Sequence, residues 1–275
     1  MKDLHIHTKY SDGELNEFEI LDEILKSGVY EFAIADHDTI EGSQRVYNIL
    51  QNFDHGLIFH PAVELTCRVN TYLNGINVHL LIQDFDYDEP ALLELIDEIS
   101  FLRYKKIQVM VDFVEKEFGV TIPKDVLQKK IKSTKSFGKP HLYSILQKLG
   151  NFDREKYYRT MDKLDTSHLK LDAKKVIESL KDSCNIVLAH PVEVMDEYNF
   201  DYVEIEKLIA YLKSLGLDGL ETHHSKQTKQ MQEHFTEIAN KYGLYESYGS
   251  DFHGEHVKPN LKIGQIVKGE KLCDI

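Results

Sequence analysis

Two rhythms of apolar residues alternate along this chain. Residues 4–6, 32–35, 57–65 and 76–82 are short apolar runs of strand character. Between the first two, Phe18, Ile20, Leu21, Ile24 and Leu25 recur at helical spacing from Asn16 to Ser27, and Gly28 is placed to stop the helix. Thr39 is placed to cap a second helix that runs to about Leu50. Asn74-Gly75 is a turn signal ahead of the fourth strand. The first eighty residues therefore read β-α-β-α-β-β.

The rhythm changes from Pro90 to about Lys170. Leu92, Leu93, Ile96, Ile99, Leu102, Ile107, Met110, Phe113 and Val114 predict one long helix or two joined helices, and shorter helical pieces follow Pro123 and Pro140. No strand-like run interrupts this stretch. The alternation then returns. Strands are expected at 186–189, 219–222 and 244–247, separated by helices over about 172–183, 203–214 and 226–242, with Gly216 and Gly243 as stops. Seven strands, most of them divided by helices, predict an α/β fold with a parallel barrel. Residues 1–89 and 171–275 form the barrel in this reading, and 90–170 is a helical insertion over its rim.

Composition narrows the class. The chain has 275 residues, 42% of them hydrophobic and 29% charged, as in a water-soluble globular protein. No apolar run is long enough for a bilayer, and the N-terminus has neither the basic nor the apolar segment of a secretory signal. Cys67, Cys184 and Cys273 are scattered thiols without a C-x-x-C pair, which fits a reducing cytoplasm. Cys67 follows Glu64 closely, but reads best as an inert buried thiol. The formal net charge of −13 opposes a stable complex with a long nucleic acid. From Arg103 to Lys139 the sign reverses, with ten Lys/Arg against four acids. Each lysine alone reads as part of a solvated helical face, while the segment as a whole favours an anionic ligand.

The chemistry lies in the positions of the histidines. His5 and His7 stand in Leu4-His5-Ile6-His7-Thr8, Asp12 in Ser11-Asp12-Gly13, and His37 in Ala35-Asp36-His37-Asp38. Glu64 and His79 fall in the third and fourth strands, His190 in Ala189-His190-Pro191, and Asp251 and His253 in Ser250-Asp251-Phe252-His253-Gly254. Two imidazoles two apart on a strand face one side, as ligands or as solvated side chains. Asp12 reads alone as a turn former, His79 as a core histidine, and Asp36 or Asp38 as a carboxylate that would orient His37. Taken together, most end or follow strands, and strand ends of a parallel barrel converge on one rim. Clustered imidazoles and carboxylates there suit several divalent ions and hydrolysis.

These motifs together resemble the PHP (polymerase and histidinol phosphatase) domain, over about residues 1–81 and 186–254. The resemblance implies a distorted seven-stranded TIM-like (β/α)7 barrel and a metal-dependent phosphoesterase. It implies that His5, His7 and Asp251 hold a first ion, that Glu64 bridges to a second held by His79 and His190, and that Asp12, His37 and His253 hold a third. Two or three ions are expected, manganese by resemblance, with iron or zinc also suited to histidine and carboxylate donors. The helical insertion and Gly138-Lys139-Pro140-His141 resemble the stand-alone members, some of which dephosphorylate nucleotides or trim short RNA from the 5′ end. Members often carry arginine where Lys139 stands, and lysine keeps the charge without the bidentate fork.

The expected reaction is hydrolysis of a phosphate ester of a nucleotide or small metabolite by a hydroxide bridging the metals. Lys139 and His141 would recognise phosphate. The proton for the leaving group would come from a water on the third ion, or from His223 or His224, which also read as ordinary loop residues. The alternatives are a 5′-3′ exonuclease on short RNA or DNA, a histidinol-phosphate phosphatase, a metal-dependent amidohydrolase, and a metal-loaded scaffold without turnover.

Overall fold

The computed structural model describes residues 1–52, 56–71, 75–132 and 137–268. Asn74, Lys135 and Cys273, named above, lie outside the described residues. The chain opens with β1 (Lys2–Ile6), α1 (Glu17–Ser27), β2 (Glu31–Ile34), α2 (Glu41–Leu50), β3 (Ile58–Val69) and β4 (Ile76–Gln83). Four helices follow: α3 (Pro90–Phe118), α4 (Lys124–Lys132), α5 (Lys139–Leu149) and α6 (Arg154–Met161). Then come β5 (Leu171–Asp172), α7 (Ala173–Leu180), β6 (Asn185–Leu188), α8 (Pro191–Tyr198), α9 (Tyr202–Leu215), β7 (Gly219–His224), α10 (Lys229–Tyr242) and β8 (Tyr245–Gly249).

Local chemistry accounts for the helix ends. Asn16 caps α1 by accepting from Phe18 N and Glu19 N, the Glu19 carboxylate returns to Asn16 N, and Gly28 closes the helix in the left-handed region. Thr39 does not occupy the cap position of α2, which falls at Ile40, although its hydroxyl accepts from Glu41 N at 3.2 Å. Residues 90–118 form one unbroken helix.

The sheet runs β1-β2-β3-β4-β6-β7-β8, with β5 paired to β3. It closes nearly into a barrel where Asp251 N donates to His5 O and His7 N donates to Phe252 O, both at 2.9 Å. The barrel is not all parallel, as connectivity had suggested: β4 is antiparallel to both β3 and β6. The reason is the short link from Val69 to Ile76, which permits a hairpin but is too short for the crossover that a parallel neighbour needs. β5 has two residues, too few for any periodicity to announce it. Leu4, Ala33, Ala35, Ala62, Leu81, Val187 and Ala189 form one buried cluster from five strands and their ends, and four of the seven are alanines. α1 and α2 seal another through Ile20, Ile24 and Val46 against Ile6, Phe32 and Ile34.

Two compact units result: Met1–Ile96 with Leu171–Ile275, and Asp97–Lys170. The second begins seven residues beyond the expected boundary at Pro90 and has a core of its own, which includes Met110, Val114, Leu142, Leu146, Tyr157 and Met161. Among the described residues no helix is long and apolar enough to cross a membrane. Cys67 is buried and, three residues from Glu64 on β3, faces the other side of the sheet.

Candidate metal centre

One fully buried carboxylate organises the site. Glu64 lies near the middle of β3, and strand register puts its side chain on the same face as Ala62, Thr66, His79 and Leu81. Its Oε1 meets His190 Nε2 at 2.8 Å and His79 Nδ1 at 2.9 Å. Its Oε2 meets His5 Nε2 and His37 Nδ1 at 3.1 Å and His7 Nε2 at 3.2 Å. Oε2 nevertheless makes no hydrogen bond, and neither do His37 Nδ1 and His190 Nδ1, although all three atoms are buried. Orphaned polar atoms at such depth are costly unless a cation satisfies them. The spacing fits: two ligand atoms about 2.1 Å from one ion, at right angles to each other, stand about 3 Å apart. Donor atoms gather in overlapping groups: His5, His7 and Asp251; His5, Glu64 and His190; His37, Glu64 and His79; His7, Asp12, His37 and His253. The structure thus brings all nine residues singled out in the sequence into one cluster.

The imidazoles are oriented from behind. His5 Nδ1 donates to Glu221 Oε1 at 3.0 Å, and His253 Nδ1 donates to the Asp251 carbonyl at 2.8 Å. Each bond leaves the Nε2 lone pair facing the cluster, which is the tautomer a metal ligand needs. Burial, with the charges of His7 and His79, pushes His37 down to about 3, so it stands neutral. Burial opposes protonation of His7 as well, but hydrogen bonds to Asp251 and Glu64 push it up to about 9. A bound cation would compete for that proton. Burial also opposes ionisation of Asp12 and Glu64, yet the imidazoles around them hold both carboxyls below the usual range.

Backbone strain concentrates here. Asp38, His190 and Asp251 all have positive φ, at 55°, 26° and 58°. Each costs about 1–3 kcal/mol and persists only where its surroundings over-determine it. Hydrogen bonds supply that constraint: Asp38 N to Glu64 O (2.9 Å), His190 N to Glu221 Oε2 (2.6 Å) and Asp251 N to His5 O (2.9 Å).

Other residues have different partners from those expected. Asp36 accepts from Thr8 N, Thr8 Oγ1 and Ser11 Oγ at 2.6–2.8 Å, and Asp38 Oδ1 accepts from Thr66 N at 2.7 Å. The carboxylates flanking His37 therefore brace the loop that carries Asp12 and the adjoining strand. His79 sits within β4, inside the strand expected at 76–82. His223 turns outward, against Thr222, Glu246 and the Tyr248 ring. His224 is the buried one. Its Nδ1 accepts from Lys226 N at 3.2 Å, so Nε2 carries the proton and points at Asp251 Oδ2, 3.5 Å away. Lys258 Nζ bonds that same oxygen, and Glu193 completes a further group with His224 and Asp251. Lys139 and His141 belong to the second unit, where Lys139 pairs with Asp162 at 2.8 Å and His141 Nδ1 accepts from Gly138 N at 3.2 Å.

Sequence reading missed Glu221, Glu193 and Lys258, and left both His223 and His224 as candidates. Glu221 carried a usable signal, a carboxylate inside the strand expected at 219–222. Lys258 and Glu193 carried none.

No family model matches the chain. It is 28% identical over 257 residues to a 5′-3′ exoribonuclease of Haemophilus influenzae, covering 91% of this chain and 89% of that one. It is 26% identical over 263 residues to a phosphoribosyl 1,2-cyclic phosphate 1,2-diphosphodiesterase of Eggerthella lenta, covering 93% and 95%. In fold it is similar to a Bifidobacterium adolescentis protein assigned as a metal-dependent phosphoesterase, with a TM-score of 0.68 and 24% identity over 98% of this chain and 92% of that one. In sequence the chain is thus similar to a ribonuclease and a cyclic phosphodiesterase, and its nearly closed, mixed-sheet barrel shares the fold of a protein assigned as a metal-dependent phosphoesterase.

Proposed function

We propose that the barrel holds two or three divalent ions on His5, His7, Asp12, His37, Glu64, His79, His190, Asp251 and His253, and that it hydrolyses a phosphate ester of a nucleotide. The observation that carries this reading is Glu64, buried beneath five imidazoles within 3.2 Å, with one oxygen left without a hydrogen bond. Imidazole and carboxylate donors without a thiol suit manganese, iron or zinc, and manganese is the ion assigned here. Divalent ions at such a site polarise phosphoryl oxygens and make a nucleophile of water at neutral pH.

The chain's own residues do the rest. Glu64 presents one oxygen to His79 and His190 and the other to His5, His7 and His37, so it is the group that would bridge two ions. Glu221 and the Asp251 carbonyl keep His5 and His253 in the receptive tautomer. His224 Nε2–H is a proton donor fixed from behind by Lys226 N, suited to the leaving oxygen. Lys139 and His141 are assigned to phosphate recognition. The nucleotide class rests on likeness to a ribonuclease and to a cyclic phosphodiesterase of a phosphoribosyl group, as their names state. Likeness to the former makes 5′-3′ removal of nucleotides from short RNA the second reading.

The test is a phosphate-release screen with Mn²⁺ over mononucleotides, bisphosphorylated nucleotides, short oligonucleotides and sugar phosphates. Turnover is expected on nucleotide substrates. His37→Ala should abolish it while leaving the melting temperature near that of the parent. Unchanged turnover in that variant removes His37 from the site, and metal-replete parent inert on every phosphoester overturns the reading.

A further inference from the structure

Outside the barrel, α3 carries a surface that folding alone does not explain. Phe101 is 54% exposed and Tyr104 59% exposed, one helical turn apart on α3. A large apolar ring left in water forgoes the stabilisation that burial would give. From Ser100 to Val111 the helix has three cations, Arg103, Lys105 and Lys106, and no acid. Lys105 Nζ lies 4.4 Å from the Phe101 ring centroid. Lys106 is partly buried, and burial together with the charges of Arg103 and Lys139 beside it lowers its affinity for a proton. Cations gathered against one another repel, and an incoming anion relieves that repulsion.

We propose that this stretch of α3 docks single-stranded nucleic acid, with Phe101 and Tyr104 stacking on unpaired bases while Arg103, Lys105 and Lys106 meet the phosphates. Rings interleaved with cations are the combination that binds a single strand without reading its sequence. A duplex hides its base faces and would use only the charge. A second copy of the chain fits poorly, because a two-fold contact would set the same cations face to face. The patch is small, so the association is brief and acts on substrate affinity. The proposal deepens the nucleotide reading by naming a polymer as the ligand of this unit.

The test uses the full chain in two formats. In the first, His37→Ala protein, which should not cut, is titrated with a fluorescein-labelled, 5′-phosphorylated octaribonucleotide. Adding Phe101→Ala/Tyr104→Ala should weaken binding about tenfold, in line with the loss of base stacking. Lys105→Glu, an exposed change that leaves the core of the unit intact, should weaken it and flatten its salt dependence. In the second, Phe101→Ala/Tyr104→Ala in otherwise unchanged enzyme should raise KM for the octamer about tenfold and leave mononucleotide hydrolysis unchanged. Equal octamer binding by the double variant overturns the proposal, as does equal binding of a duplex of the same length or displacement of the octamer by anionic phosphatidylglycerol vesicles. If the barrel proves inert on every phosphoester, the catalytic reading fails while octamer binding still decides this one.

Discussion

Gly249 has no side chain because there is no room for one. A Cβ there would stand 2.1 Å from Glu221 Oε1 and 2.4 Å from His5 Cβ. The strand end approaches closely because Glu221 must reach His5 Nδ1 with one oxygen and His190 N with the other. Gly249→Ala should therefore destabilise the fold by about 1–3 kcal/mol through overpacking and strain, read as a fall in melting temperature. It should also reduce bound metal, measured by elemental analysis, because His5 is displaced. Normal stability and metal content would show that the Glu221–His5 pair has slack. The nine clustered residues were legible because each sits at a recognisable place in the apolar pattern. Lys258, Glu193 and the orientation of His224 were not, because what defines them is proximity to Asp251 across distant segments.

At the scale of elements, the β3–β4 hairpin decides the geometry. Register sets Thr66 opposite His79 and Glu64 opposite Leu81, so the hairpin alone places His79 and Glu64 on one face. The apolar pattern placed His79 inside the fourth strand, but only the antiparallel pairing sets it beside Glu64. The same hairpin carries a polar bridge near its other end. His60 Nδ1 lies 2.7 Å from Asp84 Oδ1, and Nε2 lies 3.3 Å from Glu31 Oε1. The bond to Asp84 raises His60 above its ordinary 6.5, and the bond to His60 lowers Asp84 below its ordinary 3.8. The His60 contribution is full below about 6.5 and fades as pH rises through its higher folded value; the Asp84 contribution is present above about 3.8 and fades as pH falls through its lower folded value. His60→Gln should thus lower the melting temperature at pH 5.5 and lose most of that effect by pH 9. A difference independent of pH would mean that the bridge acts through packing alone.

For the whole molecule, charge is divided unevenly. The chain totals −13, yet residues 103–139 hold ten cations and four acids, and that segment falls within the second unit. If Lys139 serves substrate phosphate, it must exchange its Asp162 partner for the ligand. Lys139→Ala should raise KM for phosphorylated substrates severalfold while metal content stays at the parental value. Equal KM in the two proteins would leave Lys139 with a structural pairing only.

The amino-acid sequence by itself determined the succession of strands and helices, the helical break from Pro90 to Lys170 and the residue types available for chemistry. These depend on local periodicity, turn signals and side-chain identity, which act over a few residues. Tertiary structure alone decided that β4 runs against its neighbours, that Glu64 lies beneath five imidazoles, and that Glu221 and His224 rather than Asp36 and His223 support the site. Those outcomes depend on which distant segments become neighbours when the barrel closes, and closure minimises the exposure of the whole apolar pattern rather than of any single stretch.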